Sequence, residues 1–186
     1  MDNNNVKAAS SATQHLIDLG HRRIAFIGGA PNLAVTEDRL SGYKQTLSRS
    51  SLSMRAEYVL LGQYEWQTGY NLCSALLQLK YPPTAIVASD DEIAIGALQA
   101  AHDLGRKVPD DLSVIGFNDI PATEFSIPPL TTVQVHMEQL GTAAADVLFQ
   151  HLNHPELPTQ RVTIKTRIIL RSSTGRVPAA SVEPDQ

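Results

Sequence analysis

Residues 17–29 (IDLGHRRIAFIGG) and 102–117 (HDLGRKVPDDLSVIGF) spell one unit twice: a helix end, a glycine, basic residues and a short apolar strand. Few folds are open to a chain that repeats this unit. Short strands alternating with helices of 10–15 residues imply right-handed crossovers and a parallel sheet. Strands that run apolar without alternation imply helices on both faces of that sheet. The expected class is therefore α/β, a parallel sheet sandwiched by helices.

Periodicity places the rest. A helix is expected over residues 6–19, with Val6, Ala9, Thr13, Leu16 and Ile17 at three-to-four spacing. Residues 2–5 offer caps before it, and Gly20 fits the left-handed position beyond it. A strand over 23–27 leads to Gly28-Gly29, and a helix over 36–48 buries Leu40, Tyr43 and Leu47. A strand over 58–61 precedes a helix over 67–79 with Tyr70, Cys73, Leu76 and Leu77 on one side. Pro82-Pro83 then turns the chain into a strand over 85–88. The next helix, 91–104, carries Ile93, Ala94, Ala97, Leu98 and Ala101 inward and stops at Gly105. After Leu130 the rhythm changes to a strand over 131–135 and a helix over 138–152, striped by Leu140, Ala144, Val147 and Leu148. Residues 159–170 alternate enough for one long strand or two broken ones. From Ser172 onward the chain has little apolar mass and reads as a disordered tail.

Composition narrows function. A net charge of −4 in 186 residues argues against a nucleic-acid surface on this chain, because phosphate binding needs clustered Lys and Arg. His21-Arg22-Arg23 is too short a cluster to serve. The single cysteine, Cys73, excludes an internal disulfide or a Cys-rich zinc site, and its helical apolar setting reads as a small buried side chain. No apolar run approaches the ~20 residues of a membrane span, and residues 1–10 lack a signal-peptide pattern. The expected location is the cytoplasm.

In open parallel sheets ligands bind outside the carboxyl ends of the strands. Here those ends carry Ser89, Asp90 and Asp91, then Asn118 and Asp119. Paired carboxylates could hold a hard cation, but no lysine follows a strand as such a pocket would want, so no metal is expected. Asp91 reads as a helix cap. Asp90 and Asn118 read at least equally as hydrogen-bonding groups for a polar ligand. Tyr64 and Trp66, after the strand ending at Leu61, could stack on a ring or pack in the core, Trp66 rather the latter. Arg39 is either a solvated helix residue or a planar fork for ligand hydroxyls or a carboxylate. IGGAPN lacks the glycine spacing of dinucleotide and P-loops, so Gly28-Gly29 reads as a tight turn and no cofactor is expected. The six histidines show no metal spacing, and no G-x-S-x-G elbow or visible catalytic triad exists, so the chain is not expected to be an enzyme.

Taken together, HLIDLGHRRIAFIGG, EDRLSGYKQTL, PTAIVASDDEIAIGALQA, GRKVPDDLSVIGFNDIP, PPLTTV and RIILRSST, in that order, make the chain resemble the effector-binding core of LacI/GalR-type transcription regulators. The resemblance implies a type I periplasmic-binding-protein fold, in which two α/β subdomains flank a cleft. Residues 2–132 would form the C-terminal effector-binding subdomain, 133–164 a remnant of the N-terminal subdomain, 165–171 a return strand, and 172–186 the tail. The helix-turn-helix head and most of the N-terminal subdomain would be missing, leaving the apolar stripe of residues 138–152 exposed, covered by a partner chain, or mobile. The resemblance also implies effector contacts at Arg39, Tyr64, Asp90 and Asn118. Asn118 stands where the family usually has Asp, and Val35 where some members place a polar contact. The implied partners are a small effector such as a sugar, a second copy of the chain, and operator DNA through the missing head. The rival expectations are a periplasmic sugar-binding protein of the same fold and a small α/β enzyme.

Overall fold

Ile24-Ala25-Phe26-Ile27 sends alternate side chains to opposite faces of its strand, and both faces are filled. Ile24 and Phe26 pack with Ala8, Ala9, Leu16, Tyr43 and Leu47 on one side. Ala25 and Ile27 pack with Cys73, Leu76, Ile93 and Leu98 on the other. Each Ile or Phe side chain moved fully out of water contributes about 1.5–3 kcal/mol, so a strand buried on both faces is strongly held within the sheet.

The computed structural model describes residues 3–158 and 162–177. In chain order it contains α1 (Asn5–Asp18), β1 (Ile24–Gly28), α2 (Ala34–Arg49), a 3₁₀ turn (Ala56–Tyr58), β2 (Val59–Leu61), α3 (Trp66–Leu77) and β3 (Ala85–Ala88). There follow α4 (Asp91–Asp103), β4 (Ser113–Asn118), α5 (Ala122–Phe125), β5 (Thr131–Gln134), α6 (Met137–Asn153) and β6 (Arg167–Ile169). The sheet runs β2-β1-β3-β4-β5-β6. The first five strands are parallel and β6 is antiparallel to β5. Helices α1 and α2 cover one face, α3 and α4 the other. The expected α/β sandwich is what the chain forms.

The expected stops hold as well. Asn4 caps α1 by accepting the Lys7 N–H at 3.1 Å. Gly20 takes φ 95° just past α1, and Gly105 takes φ 68° past α4, conformations that a Cβ would strain.

Three expectations need correction. Among the described residues 162–170 the strand is confined to Arg167–Ile169; residues 159–161 lie outside the described residues. The subdomain boundary at 132/133 falls inside a strand, since Val133 pairs with Phe117 and Val135 is also buried. The tail does not begin at Ser172. Ser173 is fully buried, its Oγ donating to the Val114 carbonyl at 2.6 Å and accepting the Thr131 N–H at 2.8 Å. Val114 N–H donates to the Ser173 carbonyl at 2.8 Å, and Gly175 N–H to Ser113 Oγ at 3.0 Å. Residues 172–177 are thus held by polar pins, which a count of apolar residues does not register; residues 178–186 lie outside the description.

Helix α6 differs from the other long helices. None of its residues is buried, and Leu148, Phe149 and Leu152 are 59%, 63% and 66% exposed. Of the expected stripe, Ala144 and Leu148 are exposed within this chain and Leu140 and Val147 are half-buried.

Candidate functional site

The chain leaves β1 for β2 at the sheet edge, then crosses back over β1 to β3. Where strand order reverses in this way, the connections depart to opposite faces and a crevice opens outside the carboxyl ends. The β3–β4 register pairs Val87 with Ile115, and continuing it brings Asn118 level with Asp90.

Arg39 occupies this place. Thr36, Arg39 and Tyr43 recur on the sheet-facing side of α2, which carries Arg39 inward until only 4% of it is exposed. Its Nη1 donates to the Ser89 carbonyl, its Nη2 to Asn118 Oδ1 at 3.4 Å and its Nε to Asn5 Oδ1 at 3.2 Å. The guanidinium lies 4.5 Å over the Phe117 ring. Burial lowers its pKa from the ordinary value, opposed by Tyr64, Asp90 and Asp91, and an arginine stays charged under such a shift. The fork ends on carbonyl and amide oxygens, so its charge is only partly answered.

The other three candidate residues surround it. Tyr64 is half-buried; its hydroxyl is 2.8 Å from Thr36 Oγ1, and its ring lies against Gly29. The chain does bend out of β1 at Gly29, with neither Gly28 nor Gly29 at positive φ. Glycine is needed at 29 because a Cβ would collide with the Tyr64 ring. Asp90 is 9% exposed and caps α4, its Oδ1 accepting the Ile93 N–H at 2.8 Å. Burial raises its pKa, opposed by donors at its own helix end and by Arg39. Asn118 adopts φ 106° and Asp119 φ 59°, a region that Asn and Asp tolerate better than most residues.

The helix cap expected of Asp91 is supplied by Asp90 instead. Asp91 is 1% exposed and does not cap; it accepts the Thr132 hydroxyl at 2.5 Å and the Ile120 N–H at 3.0 Å. Burial pushes its carboxyl up to about 7 despite those donors. Trp66 is 39% exposed and stacks on Tyr70 with ring centroids 5.2 Å apart, rather than entering the core.

Sequence reasoning missed Asn5, Thr36 and Phe117. Thr36 shares a helix face with Arg39, a spacing that could have found it; Asn5 arrives from 34 residues away with no local signal. Ser89, named only as a strand-end residue, ties β1 to β3 by accepting the Gly29 N–H at 2.9 Å. Among the described residues no group of three or more His, Cys, Asp and Glu side chains is placed to hold a metal. No described helix is long and apolar enough to cross a membrane. An open groove of about 490 Å3 beside α1 and α2 shares no residue with this cluster. Its Ser10, Ser11 and Thr46 hydroxyls are already bonded to helix carbonyls, so it makes the weaker candidate.

Residues 13–174 match the periplasmic binding protein-like domain family. The chain belongs to that family, in its LacI branch. This LacI-family domain is 33% identical over 174 residues to the HTH-type transcriptional repressor ExuR of Bacillus subtilis, covering 94% of the chain and 52% of that protein. Its backbone superposes on the transcriptional regulator LacI of Bacillus cereus subsp. cytotoxis with TM-score 0.92 at 37% identity, covering 94% of this chain and 62% of that one. The regulator CelR in complex with cellobiose gives TM-score 0.89 at 30% identity, over 92% of this chain and 53% of that one. The LacI-family domain spans about half the length of the curated relatives it matches, and those relatives are transcriptional repressors, not enzymes.

Proposed function

We propose that this chain is the ligand-sensing core of a LacI-type transcription regulator. It binds a sugar or similar small polar metabolite at the carboxyl edge of its sheet through Arg39, Tyr64, Asp90 and Asn118. The observation that carries this reading is Arg39: a buried guanidinium at the topological switch point, with its fork only partly satisfied and an aromatic and a carboxylate beside it. A ligand hydroxyl can accept from the fork and donate to Asp90, while Tyr64 offers a face to a sugar ring. Asn118 can donate as well as accept, which a carboxylate at the same place cannot.

In this reading residues 3–135, with β6 and residues 170–177, form one subdomain and one wall of the cleft. Helix α6 belongs to the facing subdomain. The working regulator is a cytoplasmic homodimer that meets operator DNA through a separate head, since this chain carries net charge −4. A periplasmic sugar-binding protein would present the same wall; kinship with ExuR and other repressors favours the regulator.

Amide NMR of the chain with ribose, glucose and cellobiose tests the wall. Binding from one wall should be weak, with Kd about 1 mM or higher, and should shift Gly29, Ser89, Asp90 and Asn118. Arg39→Lys, which loses the planar fork, should abolish those shifts. Micromolar binding by this chain alone, or shifts that map away from this edge, would overturn the assignment.

A further inference from the structure

Two consecutive residues, Asn118 and Asp119, hold left-handed backbone at the mouth of the site, and such conformations persist only where the surroundings enforce them. The contacts on the backbone of this turn meet at one side chain. Asp91 Oδ2 accepts the Ile120 N–H at 3.0 Å, and the neighbouring Asp119 backbone N–H favours the charged form of this carboxyl. Asp91 Oδ1 accepts the Thr132 hydroxyl at 2.5 Å. Gly116 leaves the room it occupies, since a Cβ there would meet Asp91 Oδ1. One carboxylate therefore joins α4, the turn after β4, and β5.

We propose that Asp91 is a positioning residue: its carboxylate clamps the Asn118–Asp119 turn onto β5 and so fixes where the Asn118 amide stands against Arg39. The link from this clamp to effector binding rests on the function proposed above; the clamp itself does not. The charged and titratable groups around it are Asp90 and the exposed Glu92 at its helix end, Arg39 from α2, and Asp119 of the turn. Asp119 is bound at 2.8 Å by Arg171, which also reaches Glu124 of α5 at 3.3 Å. From β5 come the neutral Thr132 and Gln134, the latter donating to Asp119 at 2.7 Å. Loss of the charge on Asp91 removes an acceptor the turn needs, so the turn should loosen as this one carboxyl takes up a proton.

The test follows the turn by NMR in this chain without ligand. The Asn118 side-chain amide and Ile120 N–H signals should titrate with the same midpoint as the Asp91 carboxyl carbon. Asp91→Asn keeps the volume but sets an NH₂ against backbone donors. Ile120 hydrogen exchange should then accelerate about tenfold or more, while Glu92→Gln leaves it unchanged. Should Asp91→Asn fail to fold, Thr132→Val decides: losing a donor to the charged form should move the shared midpoint upward. Asn118 and Ile120 signals that stay still through the Asp91 titration, or unchanged exchange in folded Asp91→Asn, would overturn the proposal. Cellobiose and ribose separate the two ideas. A turn that responds while neither sugar shifts any amide sinks the sugar site alone. Sugar shifts at Asn118 that Asp91→Asn leaves intact sink the clamp alone.

Discussion

Asp91 and His21 are both buried, and they tilt stability in opposite directions with pH. Burial lifts Asp91 to about 7 from 3.8, so between those values the folded chain holds a proton that the unfolded chain has released. That contribution is fullest below about 4 and is lost as pH rises through about 7. His21 is 1% exposed, and its pKa is lowered, first by burial and against the Gly175 carbonyl. Its contribution is fully present above 6.5 and falls as pH drops below that. Between pH 7 and 5 the two slopes offset. Asp91→Asn removes the rising acid-side term, so its melting temperature should fall more steeply from pH 7 to 5 than that of the parent chain. The full Asp91 term is on the order of 4 kcal/mol. Melting curves at pH 5, 6, 7 and 8 check this; parallel profiles for the two proteins would refute the assignment.

Among the elements, the segment after β6 is pinned to the sheet through Ser173 and His21. His21 Nε2 lies 3.0 Å from the Gly175 carbonyl, which only accepts, so Nε2 carries the ring proton and Nδ1 accepts from Thr84 Oγ1 at 3.0 Å. Ser173→Ala would strand the Val114 carbonyl and the Thr131 N–H side of its hydroxyl. The expected cost is on the order of 2–4 kcal/mol, read as a lower urea midpoint with an unchanged slope. A shift below about 0.5 kcal/mol would mean that the segment does not brace the sheet. This bears on what the sequence could reveal. Strands β1, β3 and β4 and helices α1 to α4 were legible because apolar period and glycine stops are local signals. The polar pins were not, because Ser173 meets its partners across 42 and 59 residues. Arg39, Tyr64, Asp90 and Asn118 could be placed at strand ends and on one helix. What pairs them, Asn5, Ser89 and the Asp91 clamp, comes from folding distant strand ends together.

At the scale of the whole molecule, α6 stands outside the two cores. Core clusters on the two faces of the sheet draw on α1 to α4, while no residue of α6 is buried. Strand β6 nevertheless needs β5, with Gln134 opposite Arg167 and Arg167 Nε donating to Gln134 Oε1 at 2.8 Å. Since these strands are antiparallel, a two-residue turn can join them. Replacing residues 136–165 with Asn-Gly would make β5 and β6 a hairpin and remove α6 entirely. If α6 belongs to a facing subdomain, the sheet loses nothing by its departure. The melting temperature should stay within about 4 °C, the shift that roughly 1 kcal/mol produces in a chain of this size. Removing Leu148, Phe149 and Leu152 also removes a large exposed apolar stripe, so binding of a hydrophobic dye should fall. Loss of cooperative melting in the hairpin variant would instead make α6 part of the unit that folds, and would end the division proposed between them.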